Sequence, residues 1–339
     1  CQITRGPDGA TVSWILPALA ARSEAIYLLE QGDGPADGGV ELNSQAGGQI
    51  DVQLGGELFT SFHHAEEWAR PFLHPVVGPY GDPITRAYPM LPDEPGESQD
   101  HPHHKSFWVA WGEVNGTDNW SESEKRGFAR QVVTCMNEIV PGPAFGRLAM
   151  TNDWVSEAGA KVLEEDREIV FWNLPKSGRA VDLTVSFKAT EGPVCFGDTK
   201  EGGICSIRVA TSMDAKDAGT IVNSYGGTNE AETWGKRAQW CDYCGPVNGK
   251  TVGITIFDHP GNLRYPTYWH VRNYGLMTAN PFGLSHFLGD KSIDGSYRMD
   301  AGSTLTFRYR VYFHAGDTVS ADVAGKYHDF INPPSVAVE

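Results

Sequence analysis

The amino-acid sequence predicts an all-β protein, a large antiparallel β-sandwich built from two sheets. Apolar and polar residues alternate over several segments, as they do in strands with one buried face. The 39 glycines and 21 prolines divide these segments as tight turns would. Windows with helical periodicity are few, so two sheets must bury each other's apolar faces.

The clearest strands lie in the second half of the chain. Every second residue is apolar in 181–188, in 252–256 and in 304–314. Residues 162–172 fit either a helix or a strand, and their β-branched and aromatic residues favour a strand. No repeat of fixed period and no heptad pattern is present.

We expect three regions along the chain. Residues 1–48 should contain leading strands, roughly over 10–30, and then a flexible connector over 32–48, which is rich in glycine and polar residues. Residues 49–332 should form the main β-sandwich and carry the catalytic groups, and residues 333–339 should be a tail.

The charge of the protein excludes some partners. It has 43 acidic and 27 basic residues and a formal net charge of −16. Nucleic acids and anionic membranes bind basic surfaces, so we expect neither as a partner. An anionic substrate would need a local cluster of arginine and lysine. The longest apolar stretch, residues 10–29, is interrupted by Pro17, Arg22 and Glu24, so we expect no transmembrane segment.

Cysteine usage bears on location and on metal binding. Cys1 would be the lipidated residue of a mature lipoprotein, so we expect an exported protein, periplasmic or anchored at Cys1, with a cytoplasmic location as the alternative. Cys241 and Cys244 form a C-x-x-C pair, but Cys195 and Cys205 are too widely spaced to complete a structural zinc site. Buried free thiols or one or two disulfides are expected instead.

The first candidate functional segment runs from Asp100 to Trp108 and contains three histidines. If it is extended, His101 and His103 share one face and His104 takes the other. Three imidazoles beside an aspartate could bind a divalent metal, shuttle protons or orient hydroxyl groups. We favour a functional site over a loop whose histidines only satisfy hydrogen bonds, with His103 and His104 catalytic and His101 binding substrate.

The second candidate is the glycine-flanked segment 197–203, in which Lys200 would bind substrate and Glu201 would act in catalysis. A charged hairpin turn is the alternative. The third is the segment 268–275. On a strand, Tyr268, His270, Arg272 and Tyr274 would point the same way and form a wall for a polar or carboxylated ligand. An exposed strand face with an ion pair is the alternative.

Shorter polar patches add further candidates for substrate binding, namely Arg86, Tyr88, Lys236 and Asn280. Together with 10 tryptophans they suit a cleft for sugar rings, which have apolar faces and polar rims. The sequence contains no P-loop, no dinucleotide fingerprint, no G-x-S-x-G and no H-E-x-x-H.

Several long motifs resemble a bacterial family labelled "PmoA-like" or "methane oxygenase PmoA", over about residues 50–330. They include DHPHHKSFWVAWGEVNGTDNW, GDTKEGG, WGKRAQWCDY and IFDHPGNLRYPTYWHVRNYGLMTANPFG. A subunit of the membrane-bound methane oxygenase must span a bilayer several times, which this sequence does not predict. Members of the family are commonly encoded beside sugar oxidoreductases and sugar-degrading enzymes, so the resemblance implies carbohydrate catabolism.

The last strand and its His-Ala-Gly-Asp ending, residues 304–317, resemble the close of galactose-mutarotase-like sandwich domains. That resemblance implies a galactose-mutarotase-like supersandwich, with histidines and a carboxylate in a sugar-binding concavity. The partner would then be an oligosaccharide or a sugar-derived small molecule.

The leading hypothesis is a lyase or dehydratase that abstracts a proton from a uronic or otherwise acidic or oxidised sugar. His103 or His270 would be the base and Tyr274 or Glu201 the acid. Cations would hold the carboxylate, with Arg272 as a bidentate clamp beside Arg86 and Lys236. The alternatives are a glycoside hydrolase using Asp198 and Glu201, a non-catalytic sugar-binding protein, and a sugar epimerase or mutarotase.

Two placements follow from these hypotheses. The three histidines of the first segment should share one pocket with His270 and Glu201. Any bound metal should be held by imidazole and carboxylate groups, and not by Cys241 and Cys244.

Overall fold

The computed structural model describes residues 1–6, 9–20, 22–30, 38–125 and 127–338. Its strands, in chain order, are β1 (Gln2–Gly6), β2 (Gly9–Ser13), β3 (Val40–Gln45), β4 (Gln49–Leu54), β5 (Glu57–His63), β6 (Phe72–Val76), β7 (Phe107–Trp111), β8 (Arg130–Val140), β9 (Phe145–Val155), β10 (Lys161–Trp172), β11 (Gly178–Lys188), β12 (Val194–Phe196), β13 (Gly202–Arg208), β14 (Thr220–Asn223), β15 (Trp240–Val247), β16 (Lys250–Asp258), β17 (Tyr268–Val271), β18 (Leu276–Asn280), β19 (Tyr297–Met299) and β20 (Thr304–Ala315). The helices are α1 (Asn229–Thr233), α2 (Leu284–Leu288) and α3 (Val323–Ile331), with a 3₁₀ turn at Thr211–Met213.

Two antiparallel sheets of eight strands each form the body of the protein. Sheet I has the strand order β17-β18-β13-β7-β6-β5-β4-β3, and sheet II has the order β14-β15-β16-β20-β11-β10-β9-β8. Two small antiparallel two-stranded sheets, β1-β2 and β12-β19, lie outside them. The predicted all-β, two-sheet antiparallel sandwich is confirmed.

The alternation read from the sequence describes the strands of sheet II. On β20, Phe307, Val311 and Phe313 belong to the core between the sheets. Residues 162–172 lie within strand β10, as predicted, and pair with β9 and β11.

The beginning of the chain differs from the expectation. The leading strands are β1 and β2, which pair with each other, and no strand is found over 14–20 or 22–30. The connector expected over 32–48 falls partly on residues 31–37, which lie outside the described residues. The expectation is wrong for Val40–Gln45, which form β3 at the edge of sheet I, because an edge strand exposed on one face can carry the polar sequence VELNSQ.

The outer face of sheet I, turned away from the core, is unusually polar. On β17, Trp269 and Val271 enter the core while His270 faces outward. On β13, Ile207 enters the core and Arg208 faces outward. Both His270 and Arg208 are nevertheless buried, since loops cover this face. The outer face of sheet I is therefore where polar groups are shielded from solvent.

A smaller aromatic cluster also lies on this outer face. It consists of Phe72, Trp108, Ala110, Trp120 and Leu276, with Trp68, Met90 and Tyr274 packed against it. Among the described residues no helix is long and apolar enough to cross a membrane.

Candidate functional site

Arg86 organises the loop that carries the three histidines. Its fully buried guanidinium donates hydrogen bonds to five backbone carbonyls, those of Tyr88, Ser98, Asp100, His101 and His104. It also pairs with the carboxylate of Asp100 at 2.5 Å. The protein itself occupies this guanidinium, so the expected contact between Arg86 and a substrate is wrong. Arg86 positions the loop instead.

The three histidines lie on a turn and not on an extended segment. The amide of His104 donates to the carbonyl of His101 at 3.0 Å, and His101 has a φ of +42°. The rings of His101 and His104 stack in parallel with centroids 4.8 Å apart, and His103 lies 4.5 Å from His104. The expectation that His104 points away from the other two is wrong, because the turn reverses the chain within four residues.

Tyr274 extends this stack. Its ring is parallel to that of His101 at 5.0 Å, and the guanidinium of Arg208 lies 4.9 Å from its centroid. Arg208 also lies 2.8 Å from the carboxylate of Asp100 and 3.1 Å from Nδ1 of His104. Arginine can only donate, so Nδ1 of His104 is the acceptor and the proton of the neutral ring lies on Nε2.

A buried group of charges supports the loop from its other side. Glu122 pairs with Arg70 at 2.8 Å and with Lys105 at 2.5 Å. Arg70 also donates to the backbone carbonyl of His103 at 3.1 Å, and the Trp120 ring contacts His103 at 5.8 Å. These contacts fix the position of His103, which stays half-buried and can reach a ligand.

His270 is held by an indole on the outer face of sheet I. Nε1 of Trp234 donates to Nδ1 of His270 at 3.1 Å, and Phe287 packs against both rings. Because Trp234 can only donate, the neutral His270 carries its proton on Nε2. This tautomer presents a donor and no lone pair at Nε2, so of the two bases that we considered, His103 and His270, the geometry favours His103. His270 can donate a hydrogen bond to a developing negative charge.

The strand expected to continue through Tyr274 ends at Val271. Residues 272–275 form the turn between β17 and β18, closed by a bond from the Gly275 amide to the Arg272 carbonyl (3.1 Å). Gly275 has a φ of +93°, which glycine adopts without strain. Arg272 and Tyr274 are thus turn residues and do not share a strand face with His270. Tyr274 still reaches the histidines because the turn folds toward the loop.

The hydroxyl of Tyr243 anchors this turn from the opposite sheet. It belongs to β15 of sheet II and is fully buried in the core. Its oxygen accepts from the Gly275 amide at 3.1 Å and lies 2.9 Å from the Asn273 carbonyl, to which it donates. Sheet II therefore helps to set the position of Tyr274.

Arg272 is engaged with a carboxylate of the protein. Its Nε lies 3.1 Å from Glu230 on α1, and its guanidinium lies 5.6 Å from the Tyr274 ring. About a third of its side chain is exposed. The ion pair occupies part of the fork that we expected to hold a substrate carboxylate, so the bidentate clamp is not preformed.

Lys200 and Glu201 lie near the same turn and form an ion pair with each other. The charge of Glu201 helps to raise the pKa of Tyr274, and the charge of Lys200 helps to lower the pKa of His270. His101 also lowers the pKa of His270. The loop histidines, His270 and Glu201 are thus neighbours on one outer face, and their action in a single catalytic pocket stays a prediction.

Asn280 is fully buried, and its side chain is occupied by backbone groups. Its amide donates to the carbonyls of Thr199, Lys200 and Gly202, and its oxygen accepts from the Gly283 amide at 2.8 Å. The expected contact between Asn280 and a substrate is therefore wrong. Asn280 positions the loop that carries Lys200.

Asp198 is also occupied. Its carboxylate accepts from the amides of Ser285 (3.0 Å) and Gly295 (2.7 Å) and so ties two loops together. The hydrolase alternative needs a free carboxylate pair, and Asp198 with the ion-paired Glu201 does not provide one.

Two further candidates lie at the margin of this face. Tyr88 is half-buried, with its ring 5.4 Å from the Arg86 guanidinium. Lys236 is exposed just after α1, and its carbonyl accepts from the Trp269 amide of β17 at 3.1 Å. Their role in substrate binding stays a prediction.

Burial sets the protonation of the site. Burial, reinforced by the charge of Arg70, lowers the pKa of His103 to about 3, and burial lowers that of His104 well below its usual value. Burial, with the charges of Lys200 and Arg272, lowers the pKa of His270 to about 3. Burial raises the pKa of Tyr274 to about 12 against the opposing effect of Arg272. At neutral pH His103, His104 and His270 are therefore neutral and Tyr274 keeps its phenol proton.

The family of the protein follows from a match over the region that contains both large sheets, apart from β3, and the candidate site. Residues 49–328 match the model of a family of unknown function, DUF6807. The protein belongs to this family. No curated protein matches the sequence significantly. The family description names no activity, so the resemblance to proteins labelled PmoA-like stays a prediction.

Two solved structures are similar to this DUF6807 protein. One is a heparan sulfate lyase HepC mutant from Pedobacter heparinus, with 12% identity and a TM-score of 0.37 over 85% of this chain and 38% of that chain. The other is a GalM/aldose epimerase homologue from C. elegans, with 10% identity and a TM-score of 0.29 over 83% of this chain and 100% of that chain. Both TM-scores are below 0.5, so we draw nothing about chemistry from them.

Sequence reasoning missed several residues of the candidate site. Arg208, Trp108 and Trp120 were not singled out, although each is almost fully buried beside the histidines. Arg208 left a signal in the sequence, since it is the one charged residue in the otherwise uncharged run 202–213. Buried charges in strands occur mainly where they are paired. The tryptophans left no signal that separates them from core residues.

The structure also bears on the expectations about cysteine and metal. All six cysteines are free, and Cys205, Cys241 and Cys244 are buried, which agrees with the first of the two alternatives, buried free thiols. Among the described residues, one group of three metal-ligating side chains has its ligand atoms within 4.8 Å of one another, and it is Asp242, Cys244 and His314. The loop histidines do not converge in this way, so a metal held by all three of them is not supported. The group that does converge contains Cys244. The expectation that a bound metal avoids the cysteine pair stays a prediction.

Proposed function

We propose that this DUF6807 protein is a carbohydrate-active enzyme, a lyase or dehydratase that acts on a uronic or otherwise oxidised sugar. The observation that carries the proposal is the stack of His101 on Tyr274 at 5.0 Å, with the Arg208 guanidinium 4.9 Å from the Tyr274 ring. This arrangement combines a protonated phenol, an imidazole ring and a buried positive charge on one face.

Proton abstraction next to a carboxylate needs a base with a free lone pair. His103 suits this role because it is half-buried, and its lowered pKa keeps it neutral at physiological pH. Its rigid supports, Trp120 and the Arg70 bond to its carbonyl, hold the ring in one place. A weak base of this kind must act on a proton that the site itself makes acidic.

Positive charge and hydrogen-bond donors would supply that acidity. Arg208 and Arg272 lie 4.9 and 5.6 Å from the Tyr274 ring and stabilise negative charge that develops beside it. Nε2 of His270 donates, as its tautomer requires. The Tyr274 hydroxyl, protonated at neutral pH, can donate a proton to the departing oxygen.

The proposal is tested by incubating the protein with oligosaccharides that contain uronic acids and with neutral ones of equal length. Ultraviolet absorbance reports unsaturated products, and a reducing-end assay reports chain cleavage. We expect unsaturation with the acidic sugars, abolished in His103→Gln and Tyr274→Phe. His328→Gln is the matched control because His328 is exposed on α3.

The other results would overturn the proposal. Reducing ends without unsaturation would make the protein a hydrolase. Binding of sugars without any product would make it a sugar-binding protein. Unsaturation that survives in both site variants would move the chemistry to another face.

A further inference from the structure

A second cluster of polar side chains lies on sheet II, outside the candidate site. Asp242 and Cys244 are two residues apart on β15 and point to the same face, and His314 comes from β20. Strand β16 separates them, with Gly253 opposite both Cys244 and His314 in the registers. Asp242 and His314 are fully buried, and Cys244 is 5% exposed. Strands β15 and β20 thus bring a carboxylate, a thiol and an imidazole together across β16.

Gly253 makes this convergence possible. A Cβ atom at residue 253 would lie 2.2 Å from Cε1 and 2.4 Å from Nε2 of His314, and 2.9 Å from Sγ of Cys244. No real side chain fits at such distances. The absence of a side chain at this position therefore lets the imidazole and the thiol approach each other over the backbone of β16.

The distances suit a tetrahedral cation. Nε2 of His314 lies 3.1 Å from one oxygen of Asp242, and Sγ of Cys244 lies 3.0 Å from the other. Ligand atoms around a zinc ion are separated by roughly 3.2–3.7 Å, given bonds of about 2.0 Å to nitrogen or oxygen and 2.3 Å to sulfur. One ligand atom from each of the three residues lies within 4.8 Å of the other two, so side-chain movements of about an ångström would bring them to these separations.

The surroundings already orient the ligands. Nδ1 of His314 lies 3.4 Å from the carbonyl oxygen of Ala315, and this contact orients the ring so that Nε2 points toward Asp242. Thr255 and Thr318 donate to the two Asp242 oxygens at 2.9 and 2.6 Å. Both hydroxyls can keep these bonds when the carboxylate binds an ion, since each oxygen has a second lone pair.

An adjacent cavity provides access. It has a volume of about 420 Å³, and Cys244 and Thr318 form part of its wall, with Thr220, Thr251 and Asp317 among the other lining residues. A cation bound by three side chains would have its fourth position free for water or a small ligand from this cavity. Three protein ligands beside an open space are the pattern of a zinc site that is not closed by a fourth side chain.

We propose that Asp242, Cys244 and His314 bind one divalent cation of the zinc class on sheet II. On binding, Cys244 becomes a thiolate and its proton leaves to solvent, while His314 binds as a neutral imidazole through a deprotonated Nε2 and carries its proton on Nδ1, which faces the Ala315 carbonyl. The Asp242 oxygens that accepted bonds from Sγ and Nε2 turn to the cation. Cys241 is not a ligand, because it enters the core on the other face of the same strand.

The test uses metal alone as the probe. The purified chain is stripped with a chelator and titrated with Co²⁺ and then with Zn²⁺, with stoichiometry read by elemental analysis after gel filtration. We expect one ion per chain and a thiolate-to-cobalt charge-transfer band that zinc removes. Cys244→Ser should abolish the band, and Cys241→Ser, a buried cysteine on the opposite face, should retain it.

Stability gives an independent readout. A cation bound only by the folded chain raises the melting temperature, and the rise should disappear in His314→Gln and in Gly253→Ala, which keeps all three ligands but fills the space between them. No uptake of metal by the wild type would overturn the proposal and leave a hydrogen-bonded polar cluster. Uptake that Cys244→Ser leaves unchanged would also overturn it. Neither result bears on the proposed function, because the candidate site lies on sheet I.

Discussion

The neutral His270 makes a quantitative prediction about stability in acid. Its pKa is about 3 in the folded protein against 6.5 as a free group, because burial disfavours the charged ring. The unfolded chain therefore binds one more proton than the folded chain between these values, and stability falls as the pH falls through this window. At pH 7.5 both states are neutral at this ring. At pH 5.0 the unfolded ring is charged and the folded ring is not, which costs about 2 kcal/mol of unfolding free energy.

Replacement of His270 by Gln isolates this contribution. A glutamine oxygen can still accept the bond from Trp234, but it does not titrate. Urea unfolding of both proteins between pH 5.0 and 7.5 gives the two stability curves. The wild type should lose about 2 kcal/mol more than the variant over this range, whatever their difference at pH 7.5.

The exposed His328→Gln is the control, since its ring meets solvent in both states. Its curve should follow that of the wild type. Parallel curves for the wild type and His270→Gln would refute the argument, because they would mean that His270 takes up its proton equally in both states. Nitrogen NMR adds a direct check, with Nε2 of His270 protonated and Nδ1 not.

Three further predictions concern the same face. Arg86→Lys keeps the charge but offers three donors for six acceptors, so it should lower the free energy of unfolding by about 2–4 kcal/mol. It should also speed amide hydrogen exchange over residues 98–104, and exchange at the wild-type rate there would contradict the positioning role of Arg86. Tyr274→Phe should lower kcat on an acidic-sugar substrate by about 10²–10⁴ with little change in KM, and wild-type turnover would remove Tyr274 from the chemistry. Arg272→Lys should leave kcat/KM within about threefold, since Arg272 holds a partly exposed ion pair with Glu230. A loss beyond about tenfold would show instead that Arg272 holds the substrate.

The parts of the fold that follow from local periodicity could be predicted from sequence. Strand β20 alternates from Thr304 to Val311, and residues 162–172 were assigned correctly from their β-branched and aromatic content. The same period separates the outward His270 from the core residues Trp269 and Val271. Side-chain direction on a strand depends only on counting by two, so it needs no knowledge of partners.

Strand ends and edges could not be predicted in this way. Strand β3 has mostly polar residues because it is an edge strand, and its sequence resembles that of a linker. Strand β17 stops before Arg272 because the positive φ of Gly275 closes a turn there. The alternation of Tyr268, His270, Arg272 and Tyr274 continues past the end of the strand, so the sequence pattern alone overestimates its length.

The hydrogen-bond partners of residues distant in sequence also could not be predicted. Whether Arg86 and Asn280 bind a ligand or the protein itself depends on carbonyls that are distant in sequence, as far as 81 residues for Asn280. The C-x-x-C pair shows the same limit. A separation of three residues suits two ligands on a turn, but on a strand it sends Cys241 and Cys244 to opposite faces.

The contact of Tyr243 with the turn at 272–275 has a consequence for the order of folding. The hydroxyl crosses from sheet II to a turn of sheet I, so the backbone under Tyr274 gains these hydrogen bonds only once the two sheets have docked. A chain in which sheet I alone had formed would leave this turn without its anchor. The proposed ligand binding on the outer face of sheet I should therefore recover last during refolding, after the core has excluded water.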